Sequence, residues 1–383
     1  MKKVAVVTGT RAEYGILQPV LRAIKAQKGL QLLLVVTGMH LSREFGYTVR
    51  EIEQDGFEIS ARVGMLPQND TQEAMAESVG QGIGGMAKVW SELEPDIILL
   101  LGDRTEPLAA AISGAYMSIP IAHIHGGDSS KGGLDEYARH AITKFAHIHF
   151  PATRKSAARI IKMGEAAWRV HMVGSPALDA ILNEPLIPRD ELVKKFGIDP
   201  SQPLLLLVQH PVTTEVEQAG WQMRETLEAV AELKYPAIVL YPNSDSGGRS
   251  IIEVIKEYED KSSFLKNFKS LPRREYLSLL NVASVLVGNS SSGMIDSASF
   301  ALPVVNIGNR QEGRERGSNV IDVGHNRKEI ARAIKKALAD EEFLRTVKKS
   351  RNPYGDGKAS IRIAEILSGI EKTPALLQKR ITY

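Results

Sequence analysis

Short apolar runs that alternate with longer amphipathic stretches constrain the fold of this chain more than any other feature. A strand buried on both faces is apolar at consecutive positions, and a covering helix repeats its apolar residues every three to four positions. The alternation therefore predicts parallel βαβ units in an α/β fold. The first series of predicted strands comprises Val4–Thr8, Gln31–Thr37, Asp96–Leu101, Pro120–Ile124, His147–Phe150 and Val170–Val173. The second series comprises Pro203–Val208, Ala237–Tyr241, Ser284–Val287 and Pro303–Ile307.

The chain of 383 residues is longer than one core usually organises, so two series of strands favour two domains. Pro185 and Pro188 disfavour regular structure between the two series, and we place the domain junction there. The prediction is two doubly wound, Rossmann-like domains, residues 1–182 and 183–358, with a ligand cleft between them. A helical pattern in residues 359–383 predicts a C-terminal helix that could return to the first domain.

Composition excludes several classes of function. The sum of Lys and Arg is 48 and that of Asp and Glu is 45, so no large basic field predicts a nucleic-acid or membrane partner. No apolar run approaches the roughly 18–20 residues that span a bilayer, and we expect a cytoplasmic protein. The chain has no cysteine, which excludes disulfides, thiolate zinc sites and a cysteine nucleophile. Catalysis must then depend on carboxylates, histidines or hydroxyl groups.

The turn after the first strand reads Thr8-Gly9-Thr10-Arg11 and lacks the G-x-G-x-x-G pattern of dinucleotide-binding folds. We therefore expect no nicotinamide or flavin, and no other cofactor. A glycine turn before a helix suits anion binding by backbone N–H groups, to which Arg11 adds a charge. An ordinary βα turn is the alternative.

Charged residues follow the third strand. Asp103 and Arg104 come directly after Gly102, at the sheet edge where ligands bind in open α/β folds. Asp103 is a catalytic candidate, and Arg104 is a candidate substrate contact. The alternative for Asp103 is a helix N-cap, which aspartate commonly forms after such a turn.

The next strand delivers His123, His125 and Asp128 around a glycine pair. Strand alternation predicts that the two histidines share one face and that the glycines let a ligand approach. A metal site is the alternative, which we disfavour because the spacing gives no complete set of ligands. Asp135 and Arg139 follow one helical turn apart, a spacing typical of a weak surface pair unless both side chains reach the site.

In the second series, His210 follows a wholly apolar strand. Asn289, Ser290 and Ser291 lie in a loop between a predicted strand and a helix that carries Asp296. Small hydroxyl residues at a helix N-terminus suit a diphosphate, and a carboxylate one turn further on suits ribose hydroxyls. A plain serine-glycine linker is the alternative.

Taken in order, these segments resemble the hydrolysing UDP-N-acetylglucosamine 2-epimerases over essentially the whole chain. The most specific segments are Gly9–Gly15, Gly102–Arg104, Arg139–Lys144, His210–Thr214 and Gly288–Gly293. The non-hydrolysing relatives typically have Pro-Glu where this chain has Ala12-Glu13, and Arg-Glu-Asn where it has Val212-Thr213-Thr214. The chain is therefore similar to the hydrolysing branch, whose fold is the two-domain GT-B architecture.

The resemblance also implies roles for single residues. Asp103 and Asp135 match the catalytic carboxylates of the family. The positions that match substrate contacts are Arg11, His210, Ser290, Ser291 and Arg314. Asp296 stands where a ribose-binding Glu is usual. His125 stands where a catalytic Glu is usual, and we expect it to face the sugar.

The implied reaction releases N-acetylmannosamine and UDP from UDP-N-acetylglucosamine through a 2-acetamidoglucal intermediate. A 2,4-diacetamido trideoxy sugar, UDP-diacetylbacillosamine, is the alternative substrate. Two other functions would use the same nucleotide site: a GT-B glycosyltransferase, which needs an acceptor, and a non-catalytic nucleotide-sugar sensor. The resemblance further implies a homodimer or homotetramer.

Overall fold

Two six-stranded parallel sheets form the framework of the protein. The computed structural model describes residues 1–66, 71–129, 134–259, 262 and 264–383. These residues divide into two compact units. Unit 1 comprises residues 1–129, 135–183 and 354–383, and unit 2 comprises residues 134 and 184–353.

Unit 1 contains one sheet and the helices that cover it. Its strands are β1 (Lys2–Thr8), β2 (Leu30–Thr37), β3 (Ile59–Val63), β4 (Ile97–Leu101), β5 (Ile121–Ile124) and β6 (Ile148–Phe150). Its first helices are α1 (Arg11–Ala26), α2 (Val49–Gln54), α3 (Gln72–Leu93), α4 (Thr105–Tyr116), α5 (Leu134–Phe145), α6 (Arg154–Lys162) and α7 (Pro176–Asn183), and short 3-10 helices cover Gly38–Leu41 and Ala167–Arg169.

Unit 2 repeats this plan with a second sheet. Its helices are α8 (Arg189–Phe196), α9 (Ala219–Leu233), α10 (Gly248–Glu259), α11 (Arg273–Val282), α12 (Ser292–Ile295), α13 (Arg327–Ala339) and α14 (Glu341–Lys348). Its strands are β7 (Leu205–Val208), β8 (Ala237–Leu240), β9 (Leu265–Phe268), β10 (Val285–Gly288), β11 (Val304–Ile307) and β12 (Val320–Val323), and 3-10 helices cover Val216–Gln218 and Ser297–Phe300. The chain then supplies α15 (Ala359–Gly369) and α16 (Pro374–Leu377) to unit 1.

The two sheets have the same topology. Their strand orders are β3-β2-β1-β4-β5-β6 and β12-β11-β10-β7-β8-β9. If the strands of each unit are numbered from one, both orders read 3-2-1-4-5-6, the arrangement of a dinucleotide-binding fold. The predicted fold class, two doubly wound α/β domains, is confirmed.

The central strands are apolar at consecutive positions because both faces of the sheet are buried. In β4, Ile97 and Leu99 belong to one hydrophobic cluster, whereas Ile98 and Leu100 belong to the cluster on the opposite face. Helix α15 covers part of the first cluster with Ile363 and Leu367 and contacts α1 and α7. No helix among the described residues is long and apolar enough to cross a membrane.

One predicted strand is wrong. Residues 170–173 form no regular strand. An isolated bridge joins Val170 to His149, and the N–H groups of His171 and Val173 donate to the carbonyl oxygens of His149 at 2.9 Å and Pro151 at 3.2 Å. A 3-10 helix ends at Arg169, and Gly174 adopts a left-handed conformation (φ 92°) shortly before α7 begins. These two breaks leave too few extended residues for a ladder on β6.

Three observed strands, β3, β9 and β12, were not predicted. All three lie at an edge of their sheet, and their sequences include polar residues such as Arg62, Lys266 and Asp322. An edge strand is partly exposed, so its sequence lacks the continuous apolar run that marks a central strand.

Candidate active site

The carboxyl ends of β1, β4 and β5 meet at one edge of the unit 1 sheet, and most of the predicted unit 1 residues lie in the segments that follow them. At this edge Asp103 forms an ion pair with Arg139. The Oδ2 atom of Asp103 accepts a hydrogen bond from Nε of Arg139 at 2.8 Å and a second one from Nη2. The N-cap of α4 is Arg104 rather than Asp103, so the capping alternative for Asp103 is wrong.

Arg139 is fully buried and gathers acceptors from three segments. Its Nη1 atom donates to the carbonyl oxygen of Asp128 at 3.1 Å and to Oε2 of Glu136 at 2.6 Å. Burial disfavours the charged guanidinium, but the Asp103 and Asp128 carboxylates outweigh this effect and raise the pKa of Arg139. The guanidinium is thus permanently charged and fixes the orientation of the Asp103 carboxylate.

Helix α5 carries three further polar residues at this edge. Asp135 and the next residue, Glu136, lie in the first turn of the helix, and both are half-buried. Glu136 also accepts a hydrogen bond from Nε2 of His140 at 3.1 Å. Glu136 was not predicted as a site residue, although its i,i+3 spacing to Arg139 and its i,i+4 spacing to His140 indicate both contacts.

The prediction that His123 and His125 share a strand face is wrong. Strand β5 ends at Ile124, and His125 adopts a left-handed conformation with φ 64°. The Nε2 atom of His123 contacts the carbonyl oxygen of Gly102 at 2.7 Å, and its Nδ1 atom contacts Oγ1 of Thr143 at 3.2 Å. Burial lowers the pKa of His123 to about 3, so this ring is neutral. The positive φ ends the strand alternation and separates the two rings.

His125 instead bridges two polar groups of unit 1. Its Nδ1 atom lies 3.1 Å from Oδ2 of Asp128, and its Nε2 atom lies 2.9 Å from Oγ of Ser175. The ring also contacts Tyr354. The expected contact between His125 and a sugar therefore stays a prediction, and such a contact would have to replace one of these two bonds.

Asp128 is a buried carboxylate that the sequence indicated only as a metal ligand. Its Oδ1 atom accepts a hydrogen bond from Ser156 at 2.7 Å, opposite the contact with His125. The preceding Gly127 has φ 75°, and a Cβ atom there would lie 2.3 Å from the carbonyl oxygen of Ser156. The missing side chain of Gly127 therefore makes room for the backbone of Ser156. The sequence had instead suggested that it makes room for a ligand. Among the described residues, no group of three or more His, Asp or Glu side chains could hold a metal ion.

The turn after β1 is a capped helix start. Thr10 is the N-cap of α1 and accepts from the backbone N–H of Glu13 at 3.3 Å, while Glu13 accepts from the N–H of Gly9 at 2.7 Å. This reciprocal capping box occupies two of the backbone donors that the sequence offered to an anion. For the backbone N–H groups of Gly9 and Glu13, the alternative of an ordinary βα turn is therefore the better description.

Glu13 lies beside a second buried carboxylate, Glu106. Burial, followed by the charge of Glu106, raises the pKa of Glu13 to about 8. Arg104 lies 3.3 Å from Glu106 through its Nε atom. Arg11 donates to Glu51 of α2 through Nε at 2.7 Å and through Nη2. Both arginines thus have carboxylate partners that a bound anion would share or displace.

In unit 2, two residues tie the ends of β7 and β10 together. The N–H of His210 donates to Oδ1 of Asn289 at 2.7 Å, and Nδ2 of Asn289 donates to the carbonyl oxygen of His210 at 2.9 Å. The backbone N–H of Asn243 donates to Nδ1 of His210 at 3.1 Å, so the neutral imidazole carries its proton on Nε2. Both polar atoms of the Asn289 amide bond to the backbone of His210, so Asn289 positions His210. The predicted substrate contact of Asn289 stays a prediction.

The serine loop after β10 leads into a very short helix. Helix α12 has only four residues, and Asp296 is its C-cap. Ser290 and Ser291 are half-buried, whereas Asp296 is buried and accepts from Ser292 at 2.8 Å and from Arg273 at 3.2 Å. Arg314 lies in the segment after β11, where Gln311 donates to the carbonyl oxygen of Asn289 at 3.0 Å. The ribose contact of Asp296 stays a prediction.

Comparison with known proteins identifies the family. The family model described as UDP-N-acetylglucosamine 2-epimerase matches residues 22–368. The chain belongs to this family. The resemblance inferred from the motifs is therefore confirmed.

Two relatives in the epimerase family cover the whole chain or nearly so. The UDP-N,N'-diacetylbacillosamine 2-epimerase (hydrolyzing) of Legionella pneumophila is 40% identical over 383 residues, which are 100% of both proteins. The UDP-N-acetylglucosamine 2-epimerase of Neisseria meningitidis serogroup B is 33% identical over 384 residues, 99% of this chain and 98% of the relative.

A solved structure supports the family fold independently. The crystal structure of UDP-GlcNAc 2-epimerase from Neisseria meningitidis bound to UDP-GlcNAc matches with a TM-score of 0.80 at 18% identity, covering 95% of this chain and 99% of that chain. At this identity the match shows the two-domain, GT-B-like α/β fold.

Proposed function

We propose that the protein is a hydrolysing 2-epimerase, which converts a UDP-linked N-acetyl amino sugar and water into UDP and a free sugar of inverted C2 configuration. Given that the chain belongs to the epimerase family, the observation that supports this proposal is the ion pair between Asp103 and Arg139. The buried guanidinium orients the Asp103 carboxylate at the sheet edge where ligands bind. A fixed negative charge of this kind stabilises positive charge that develops on a sugar ring.

The reaction has two balanced steps. In the first, a base removes the C2 proton while the C1–O bond to UDP breaks, which gives UDP and a 2-acetamidoglucal. In the second, water adds its oxygen to C1, and a proton returns to C2 from the opposite face. The C2 hydrogen has no adjacent carbonyl group, so its removal needs the positive charge that the departing UDP leaves at C1.

We assign the proton transfers to Asp103 and Asp135 jointly. Asp103 is partly exposed and fixed by Arg139, and Asp135 is half-buried in the first turn of α5. Two carboxyl groups on opposite faces of a sugar can serve as acid and base near neutral pH when their surroundings adjust their pKa values. The buried pair of His125 and Asp128 lies in the segment after the neighbouring strand and supports this edge.

The departing UDP is bound in this proposal by unit 2. His210 presents the proton on its Nε2 atom, and Ser290 and Ser291 present hydroxyl groups at the end of β10. Arg314 supplies positive charge from the segment after β11. Preorganised donors of this type stabilise the negative charge that grows on the leaving diphosphate.

The proposed sugar is N,N'-diacetylbacillosamine. The supporting observation is the Legionella relative of that name, which is 40% identical over the full length of both proteins. UDP-N-acetylglucosamine, the default expectation from the motifs, is the second candidate, and the Neisseria relative at 33% identity favours it.

The test is to incubate the purified protein with each UDP-sugar in D₂O and to follow the products by NMR. We expect UDP and a free sugar of the manno configuration with deuterium at C2, and a higher kcat/KM for the diacetamido substrate. Release only in the presence of an acceptor would indicate a glycosyltransferase. Saturable binding without turnover would indicate a sensor. Either outcome contradicts the proposal.

The same assay tests the expected independence from metals and nicotinamide. We expect full activity in EDTA without added cofactor, because acid–base chemistry by side chains accounts for each step. Complete inhibition by EDTA that one divalent metal reverses would contradict this expectation.

A further inference from the structure

The last ten residues of the chain are fastened to unit 1 at several points. Leu376 is buried in the same hydrophobic cluster as Leu367 of α15. Arg169 donates from Nη2 to the carbonyl oxygen of Ala375 at 2.6 Å and from Nη1 to that of Leu376 at 2.9 Å. The segment therefore has a fixed position on this unit.

Lys379, which follows these contacts, caps helix α5. Its ammonium group donates to the carbonyl oxygens of Lys144 at 2.7 Å and Ala146 at 2.5 Å, and lies 3.5 Å from that of Thr143. The last four carbonyl groups of a helix have no partner within the helix, and the helix dipole places negative charge on them. A partly buried cation at this position stabilises the C-terminal end of α5.

A buried carboxylate holds Lys379 in place. Glu165 is 2% exposed and accepts from Nζ of Lys379 at 2.8 Å, from Nζ of Lys144 at 2.7 Å and from Nε2 of His149 at 3.1 Å. Burial alone would raise the pKa of Glu165, but the bonds from His149, Lys144 and Lys379 outweigh it and lower the pKa to about 2. The carboxylate is therefore charged at neutral pH.

The other part of α5 carries the site. Arg139, one turn before Thr143, binds Asp103, and the hydroxyl of Thr143 contacts Nδ1 of His123 at 3.2 Å. A small shift of α5 along its axis would move Arg139 and Asp135 together. Displacements of reacting groups by about 1 Å can cost up to 10²-fold in rate.

We propose that the C-terminal segment is a positioning element for the catalytic helix. In this proposal, Lys379 fixes the end of α5 and thereby the ion pair of Asp103 and Arg139. The expected effect on kcat rests on the proposed function, whereas hydrogen exchange in α5 can be measured without any substrate.

The test compares Lys379→Met, which removes the cation but keeps most of the stem, with Arg380→Met as a matched control at the exposed neighbouring position. Hydrogen–deuterium exchange of the α5 amides is measured without ligand, and kcat and KM are measured with the better UDP-sugar. We expect α5 to exchange faster in Lys379→Met, and kcat to fall about 10-fold, within the range for a displaced reacting group. KM should change less than kcat, and Arg380→Met should match the wild type in every measurement.

Unchanged exchange in α5 would overturn the proposal, whatever the activity. Faster exchange throughout unit 1, with kcat falling only in proportion to the folded fraction, would also overturn it, since it would show a general stabilising role. If Lys379→Met does not fold, Lys379→Arg is measured instead, and it must show altered α5 exchange confined to that helix. An inactive wild type with the expected exchange pattern would contradict the proposed function and leave the positioning of α5 intact.

Discussion

In unit 1 the segments that follow β1, β4 and β5 carry charged side chains, whereas in unit 2 the segments that follow β7 and β10 carry amides, hydroxyls and an imidazole. The segments after β1, β4 and β5 supply Arg11, Asp103 and Asp128, and those after β7 and β10 supply His210 and Ser290. Both sheets have the same strand order, so the topology does not account for this difference. The segments that follow the strands decide the chemistry of each edge.

The difference also affects how firmly each edge is held. For a buried charge, the loss of an ion-pair partner can cost about 3–5 kcal/mol, and Arg139 is a buried cation. Neutral hydrogen bonds such as those between His210 and Asn289 contribute only about 1 kcal/mol each. The unit 1 edge is therefore suited to fixed charges and proton transfer, and the unit 2 edge can more readily exchange bonds with an anion.

The raised pKa of Glu13 predicts that the contribution of this residue to stability falls as pH rises. The raised pKa of Glu13, about 8, means that the folded state binds a proton that the unfolded state loses above pH 4.5. The resulting stabilisation is complete below that pH and is lost as the pH rises through 8. Glu13→Gln, which retains an acceptor for Gly9, should flatten this dependence by several kcal/mol, at about 1.36 kcal/mol per pKa unit. Urea unfolding of the wild type and of Glu13→Gln at pH 5 and pH 8 measures how the free energy of unfolding changes with pH. An equal change in the two proteins would contradict the prediction.

Loss of a carboxylate in unit 1 should impair turnover more than binding. Asp103→Asn and Asp135→Asn should each lower kcat by at least roughly 10²-fold, the lower end for lost acid–base catalysis, with a smaller change in KM. Asp103→Asn should also lower the free energy of unfolding, because the buried Arg139 would lose one of its carboxylate partners and keep Glu136. Steady-state kinetics and urea unfolding separate the two effects. Near-normal turnover in either variant would remove that residue from the proposed pair.

Loss of hydroxyl groups in unit 2 should impair binding more than turnover. Hydrogen bonds to charged groups contribute about 1.5–3 kcal/mol, so the double substitution Ser290→Ala and Ser291→Ala should raise KM by about 10-fold or more. Calorimetric titration with UDP alone should show a similar loss of affinity. A fall in kcat with unchanged UDP affinity would contradict the expected difference, in which the unit 2 edge serves binding and the unit 1 edge serves turnover.

The smallest expected effect concerns the choice of sugar by His125. In His125→Glu, a carboxylate would replace the ring that lies 3.1 Å from Asp128 and 2.9 Å from Ser175. We expect the ratio of kcat/KM for the two UDP-sugars to move toward UDP-N-acetylglucosamine by roughly 10-fold or less, the scale of a single changed pocket contact. His125→Gln serves as a neutral control. An unchanged ratio with intact activity would assign His125 to the support of Asp128.

Much of the fold could be predicted because the sequence of a central strand depends on burial alone. Residues 97–101 and 205–208 are continuous apolar runs, since both faces of each strand are covered. The edge strand Ile59–Val63 contains Ser60 and Arg62 and gives no such signal, because one side of it faces solvent. The motifs after the central strands also indicated which segments lie at the ligand edge, since parallel strands end together.

Contacts between residues distant in sequence could not be predicted in this way. The i,i+4 spacing of Asp135 and Arg139 suggested a local pair, but Arg139 binds Asp103, 36 positions earlier. The left-handed conformation of His125 separates it from His123, and no periodicity indicates a single positive φ. Glu165 and Lys379 meet only because α15 and α16 return to unit 1. The sequence determined the strands and the chemical groups at their ends, whereas tertiary packing decided which charges are buried together, because a buried charge requires a partner wherever in the chain that partner lies.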